Sequence, residues 1–140
     1  TMSLRDLSRK SGLSMGALYS YFPGKEELRS MILHQGVAYT REVILGQADA
    51  CTDPVERLEV AIVTHLYLTE VLRPWFYLAY MEASSLSRTE KRRAMEDELT
   101  TEQIFLDILT EGVASGDLHC PDVELVAALI NAATSSTSAQ

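Results

Sequence analysis

Apolar residues along this chain recur at three- and four-residue intervals, and alternation of period two is nearly absent, so almost every segment reads as helix. Ser3 followed by Asp6 resembles a capping box with Asp in place of the usual Glu, which starts a helix at Leu4. Ser11-Gly12 ends it, because glycine suits the left-handed residue after a helix. Ser14 is a good N-cap for a second helix over 15–22. Pro23-Gly24 breaks the chain, and Lys25-Glu26-Glu27 opens a long helix whose first-turn glutamates face the positive end of its dipole. That helix runs to about Gln47, weakened by Gly36 and Gly46. Asp53-Pro54-Val55-Glu56 signals another start, with an apolar stripe of Val55, Leu58, Ile62, Leu66, Thr69 and Leu72. Pro74 ends that helix and begins a short aromatic one, "PWFYLAYMEASS". Ser87-Arg88-Thr89-Glu90 opens a long helix that reaches Gly116 with Met95, Leu99, Leu106, Leu109 and Val113 on one face. A last helix over 122–134 contains "VELVAALINAA", and the tail "TSSTSAQ" has no periodicity. The fold class is therefore all-α.

Composition narrows the picture a little. A chain of 140 residues fits one domain, or a small module fused to a larger one. No apolar run approaches the roughly 18 residues of a membrane span, and the first residues lack the apolar core of a secretory signal. Cys51 and Cys120 belong to no CxxC or Cys/His cluster, which fits a reducing cytoplasm and argues against a disulfide framework or a structural zinc site. Net charge changes the picture more. The total is −8, but it is unevenly spread. Residues 1–33 hold five basic and three acidic side chains (+2), and residues 34–140 hold seven basic and seventeen acidic (−10). An acidic body repels a polyanion and leaves only the head able to approach one.

The head contains "LSMGALYSYFPGKEEL", Leu13 to Leu28. Two short helices joined by Gly12-Leu13 make a helix-turn-helix pattern, whose second helix is the one that enters a DNA major groove. Leu18 and Phe22 are four apart and should point inward, with Leu4 and Leu7 meeting them from the first helix. Met15, Gly16, Ala17, Tyr19 and Ser20 are left around the exposed side. Gly16 and Ala17 are small enough to let a helix start approach a base edge or phosphate closely. Tyr21 and Lys25 offer a hydroxyl and an ammonium to phosphates at the far end. The plainer reading makes Tyr19 and Tyr21 half-buried aromatics on an ordinary helical hairpin.

"SLRDLSRKSGLSMGALYSYFPGKEEL" closely resembles the DNA-binding segment of the TetR family of transcriptional regulators. Gly12, Ser14, Gly16, Leu18, Tyr19, Tyr21, Phe22, Lys25 and Leu28 fall in register with that family's pattern, over Ser3 to about Ile32. The resemblance implies phosphate contacts for Ser3 and Arg5. It places Ser14, Met15, Gly16 and Ala17 at the helix start that faces bases, with Tyr19 and Ser20 beside them. Tyr21 and Lys25 become backbone clamps. Met15 departs from the polar residue often found at its position, which shifts readout towards thymine methyls. The family also has a helix before this motif and another after the one at 122–134, so the expectation is a chain lacking its first helix and truncated at its end. The implied organisation is a head at 1–33, a connecting part of the long helix at 34–47, and a ligand-binding and dimerisation domain at 48–140. Double-stranded DNA with a palindromic operator, a second copy of the chain and a small apolar or amphipathic ligand are the implied partners. No cofactor or metal is.

The ligand site is sought in the body. Trp75, Phe76, Tyr77 and Tyr80 with Met81 make a pocket wall, with Leu66, Thr69, Met95 and Leu99 opposite. An ordinary aromatic core would use the same residues. His65 could hydrogen-bond a ligand or be a satisfied core histidine. "RTEKRR", Arg88 to Arg93, reads as a solvated helix start or as a grip on an anionic head group. The overall pattern resembles acyl-CoA-responsive members of the family. An enzyme finds little support: His34, His65 and His119 are dispersed, and no GxSxG, HExxH or glycine-rich phosphate loop occurs. The rival to a ligand-released repressor is a helical adaptor that binds only protein.

Overall fold

The computed structural model describes residues 3–74 and 88–136, and among these every regular element is an α-helix. They are α1 (Leu4–Ser11), α2 (Met15–Tyr21), α3 (Lys25–Ala48), α4 (Pro54–Val71), α5 (Arg88–Ser115) and α6 (Val123–Ser136). The boundaries follow from local chemistry. The Ser3 hydroxyl accepts the Asp6 N–H at 3.1 Å, and the Asp6 carboxylate accepts the Ser3 N–H at 3.2 Å, a complete capping box. Those Ser3 hydrogen bonds hold the Asp6 carboxyl below its ordinary pKa. Asp53 caps α4 through the Glu56 N–H at 2.9 Å, with Pro54 in the first turn. Gly12 and Gly116 take φ of 73° and 85° just after α1 and α5, a region that L side chains rarely adopt.

α3 packs on α4 and α5, α6 packs on both of those, and α4 and α5 pack on each other. The core draws Ile44 and Ala48 from α3, Ala61 and Leu68 from α4, Ile104, Phe105, Ile108 and Leu109 from α5, and Ala127 from α6. Phe105 and Ile44 are its largest fully buried side chains. Arg57 ties three elements together, pairing with Asp49 at the end of α3 (3.4 Å) and with Glu111 of α5.

Two expected stripes hold only in part: Leu58, Ile62, Thr69 and Leu72 of the first and Leu106 and Leu109 of the second are buried or pack against the core, and the remaining positions are displaced. On α4 the buried residues are Ala61, His65, Leu68 and Thr69, and Val55 and Leu66 are exposed. On α5 the buried residues among those described are Thr101, Ile104, Phe105, Ile108, Leu109 and Gly112, with Met95, Leu99 and Val113 exposed. The cause is common to both. Each helix is wedged between three neighbours, so small and polar residues are buried where a tracing of large apolar positions passes over them. The aromatic helix expected after Pro74, with Trp75, Phe76, Tyr77, Tyr80 and Met81, lies outside the described residues.

Candidate nucleic-acid interface

The geometry of the head begins at the turn between α1 and α2. The Ser8 hydroxyl donates to the Leu13 carbonyl at 2.6 Å, which fixes the chain as it leaves Gly12. Ser14 then caps α2 by accepting the Ala17 N–H at 3.1 Å. α2 is anchored by Leu18, which is only 2% exposed, while Leu4, Leu7 and Phe22 are half-buried. The rings of Tyr21 and Phe22 sit 6.2 Å apart and tilted by 44°. Although adjacent, they face different surroundings, since Phe22 turns inward and Tyr21 is 73% exposed.

The outer side of α2 is formed by Gly16, Tyr19, Ser20 and Tyr21, all exposed, with Met15 and Ala17 half-buried at its start. Ser20 turns its hydroxyl back to the Ala17 carbonyl at 2.7 Å. Ser3 and Arg5 are exposed at the start of α1. Lys25 opens α3, and its side chain lies outside what is described. The structure thus brings Ser14 to Tyr21 onto one short helix, with two partly apolar rings and a free backbone approach at Gly16. Such a surface can lie against a groove: hydroxyls and N–H groups for phosphates, small side chains and a thioether for base edges.

Of the body residues suggested by sequence, Trp75, Phe76, Tyr77, Tyr80 and Met81 lie outside the described residues. His65 and Thr69 are buried in the core, whereas Leu66, Met95 and Leu99 are exposed. His65 Nδ1 lies 2.7 Å from the Thr134 hydroxyl of α6, and its ring is 5.7 Å from that of Phe105. Burial drops its pKa to about 4. Because the folded state then binds fewer protons than the unfolded chain, stability should fall as pH drops from 6.5 towards 4 and be insensitive to this group above 6.5. Urea melts across that range check this, with His65→Phe expected to remove the dependence due to this group. A separate cleft of ≈ 430 Å³ opens between α3 and α5. One face of α3 lines it with His34, Val37, Ala38, Arg41, Glu42 and Leu45, and α5 adds Thr100. Apart from His34, named only as one of three dispersed histidines, none of these was singled out by sequence, although the three- and four-residue spacing of the α3 residues marks a single helix face.

With this geometry in hand, similarity to known proteins is informative. Residues 1–31 match the family model for bacterial regulatory proteins of the tetR family. Residues 51–139 match the tetracyclin repressor-like C-terminal domain. The HTH-type transcriptional regulator HbdR of Aromatoleum sp. (strain CIB) is 28% identical over 97 residues, 69% of this chain and 42% of that protein. The HTH-type transcriptional repressor KstR2 of Mycolicibacterium smegmatis is 26% identical over 124 residues, 88% of this chain and 60% of that protein. The chain therefore spans less than two thirds of the length of these relatives. A solved TetR/AcrR-family transcriptional regulator from Thermobifida fusca superposes with a TM-score of 0.80 at 26% identity, covering 98% of this chain and 73% of that one.

Proposed function

The chain belongs to the TetR family of bacterial regulatory proteins, and from that membership we propose that it serves a dimeric DNA-binding transcriptional regulator, a repressor released from a palindromic operator by a small, largely apolar ligand. The observation that carries this is α2: a capped helix held by one buried leucine, with Gly16, Tyr19 and Tyr21 turned outward. Ser3 and Arg5 hold phosphates from α1, Tyr21 and Lys25 clamp the backbone beyond α2, and Ser14 to Ser20 face the groove. Residues 1–33 act as the head, 34–47 as the connecting lever, and 48–140 as the ligand-binding and dimerisation body. Two heads in a dimer sit about 34–36 Å apart, or a multiple of that, to meet successive major grooves. A ligand that prefers the splayed arrangement shifts the population away from DNA by its differential affinity. Relatives named as transcriptional regulators support this reading over an enzymatic one. Among the described residues no helix is long and apolar enough to cross a membrane.

Titration of the intact protein with duplex DNA at several salt concentrations tests the proposal. Affinity should fall on a log–log plot with a slope near −0.9 per phosphate contacted. Lys25→Ala should weaken binding to all sequences alike and reduce that slope by about one contact. Absence of any duplex binding in dilute buffer would leave a helical protein-binding adaptor instead.

A further inference from the structure

The cations of the body are gathered in one place. Residues 34–140 hold seven basic side chains, and four of them, Arg88, Lys91, Arg92 and Arg93, fall within the first six residues of α5, against one acid, Glu90. The other three are placed elsewhere: Arg57 pairs with Asp49 and Glu111, Arg73 pairs with Glu70, and Arg41 lines the α3–α5 cleft. Arg88, Lys91 and Arg92 are exposed, and their three- and four-residue spacing puts them on one face of α5. Arg92 makes only a loose pair with Glu96, 3.7 Å away, in which both side chains stay largely in solvent, and such a pair contributes little. Helix stability does not account for the grouping. Cations at a helix N-terminus oppose its dipole, and a cation four residues before an acid is the weaker order of that pair.

The packing gives the start of α5 a position. Arg57 meets both Asp49 of α3 and Glu111 of α5, which sets those two residues at one height. Ala38 and Thr100, each eleven residues earlier, line one cleft, so α3 and α5 run parallel and in step. Glu26 and Arg88, each twenty-three residues before the Arg57 contacts, are then level again, about 35 Å from that rung at 1.5 Å per residue. The first turn of α5 therefore stands at the height where α2 ends and α3 begins. The far end of the body is acidic. Asp49 and Asp53 flank the α3–α4 turn there, and Asp117 and Asp122 lie in the α5–α6 corner. Charge in the body is thus sorted along its length, positive towards the head.

Building on the reading of the head as DNA-binding, we propose that the exposed start of α5 is a second phosphate-binding surface, through which the body itself grips the backbone of the duplex that the head reads. Arg88, Lys91 and Arg92 neutralise phosphates beside the head without reading bases. The acidic far end confines the duplex to this end of the molecule.

Salt titrations of the intact protein with a mixed-sequence duplex of about 40 base pairs test this. Arg88→Gln, Lys91→Gln and Arg92→Gln together should weaken binding about tenfold at about 0.1 M salt and flatten the log–log slope by about two phosphate contacts. The melting temperature should hold or rise, since cations leave the positive end of α5. An equal change of net charge at the far end, by Gln47→Glu, Ala50→Glu and Thr52→Glu, should leave the slope as it was. Equal flattening by both sets would reveal an effect of net charge alone and overturn the proposal. An unchanged slope in the α5 variant overturns it too, and leaves binding by the head untouched. Should Glu26→Gln with Glu27→Gln lower affinity as the α5 variant does, with neither slope altered, the cations pair with the head instead of with phosphates, and the proposal is again overturned. If the unaltered protein binds no duplex, the DNA-binding reading falls and this proposal with it.

Discussion

Replacing Gly16 with leucine should weaken duplex binding by about a hundredfold, equivalent to roughly 2.7 kcal/mol, without unfolding the head. A Cβ built at Gly16 meets only the Ser14 Oγ, at 3.9 Å, so the chain itself has room for a side chain. The φ of Gly16 is not positive either, unlike those of Gly12 and Gly116. Glycine in a helix costs up to about 1 kcal/mol relative to a good helix former. Among the described residues neither packing nor backbone conformation recovers that cost, which fits a glycine kept for close approach of a partner to the start of α2. Leucine should therefore raise the melting temperature of the head slightly while its side chain holds the helix off the groove. Gly16→Ala should fall between the two. Fluorescence anisotropy with a cognate duplex at fixed salt, paired with a thermal melt, reads both effects. An unchanged dissociation constant would mean that the N-terminal turn of α2 does not face DNA at all.

Legibility from sequence divides along the same boundary between local and distant causes. The ends of α1, α2 and α4 are written in residues three apart: Ser3 with Asp6, Ser14 with Ala17, Asp53 with Glu56. Those signals are complete within one turn, and the structure reproduces them. The inward Leu18 and the outward Tyr21 are equally local, because a helix of seven residues has few ways to hide one leucine. The buried faces of α4 and α5 are another matter. Which side of α4 is covered depends on α3, α5 and α6 together, and the residues that end up inside include Ala61 and His65, which hydropathy undervalues. The His65–Thr134 pair joins positions 69 apart. The α3–α5 cleft joins His34 and its face to Thr100. No periodicity within a single helix specifies either.

The corner between α5 and α6 yields the second large effect, because there one glycine is demanded by space alone. Gly112 is buried in the last turns of α5, and the chain reverses at Gly116 so that the Leu118 N–H donates to the Gly112 carbonyl at 2.9 Å. That reversal lays Leu118 directly over Gly112. A Cβ at position 112 would stand 2.4 Å from Leu118 Cδ1, 2.7 Å from Cγ and 3.2 Å from Cβ. Rotation about χ1 of the leucine moves Cδ1 and Cγ but takes them off the core they pack against, and Cβ stays at 3.2 Å, so the turn must also give by a few tenths of an ångström. Gly112→Ala should cost about 2–3 kcal/mol, the upper range for overpacking a well-filled site, despite the better helix propensity of alanine. Leu118→Ala alone should also destabilise, because this half-buried side chain packs on the core. In the double variant the added methyl occupies space that the leucine has vacated. Its loss should therefore be smaller than the sum of the two single losses by about 1 kcal/mol or more, the signature of direct contact in a double-mutant cycle. Urea melts of the four proteins measure this, and strict additivity would show that the methyl clashes with something other than Leu118. Because the corner sets the position of α6, and α6 carries Thr134 to His65, Gly112→Ala should also loosen that contact while the head, built from its own caps and Leu18, continues to bind duplex DNA.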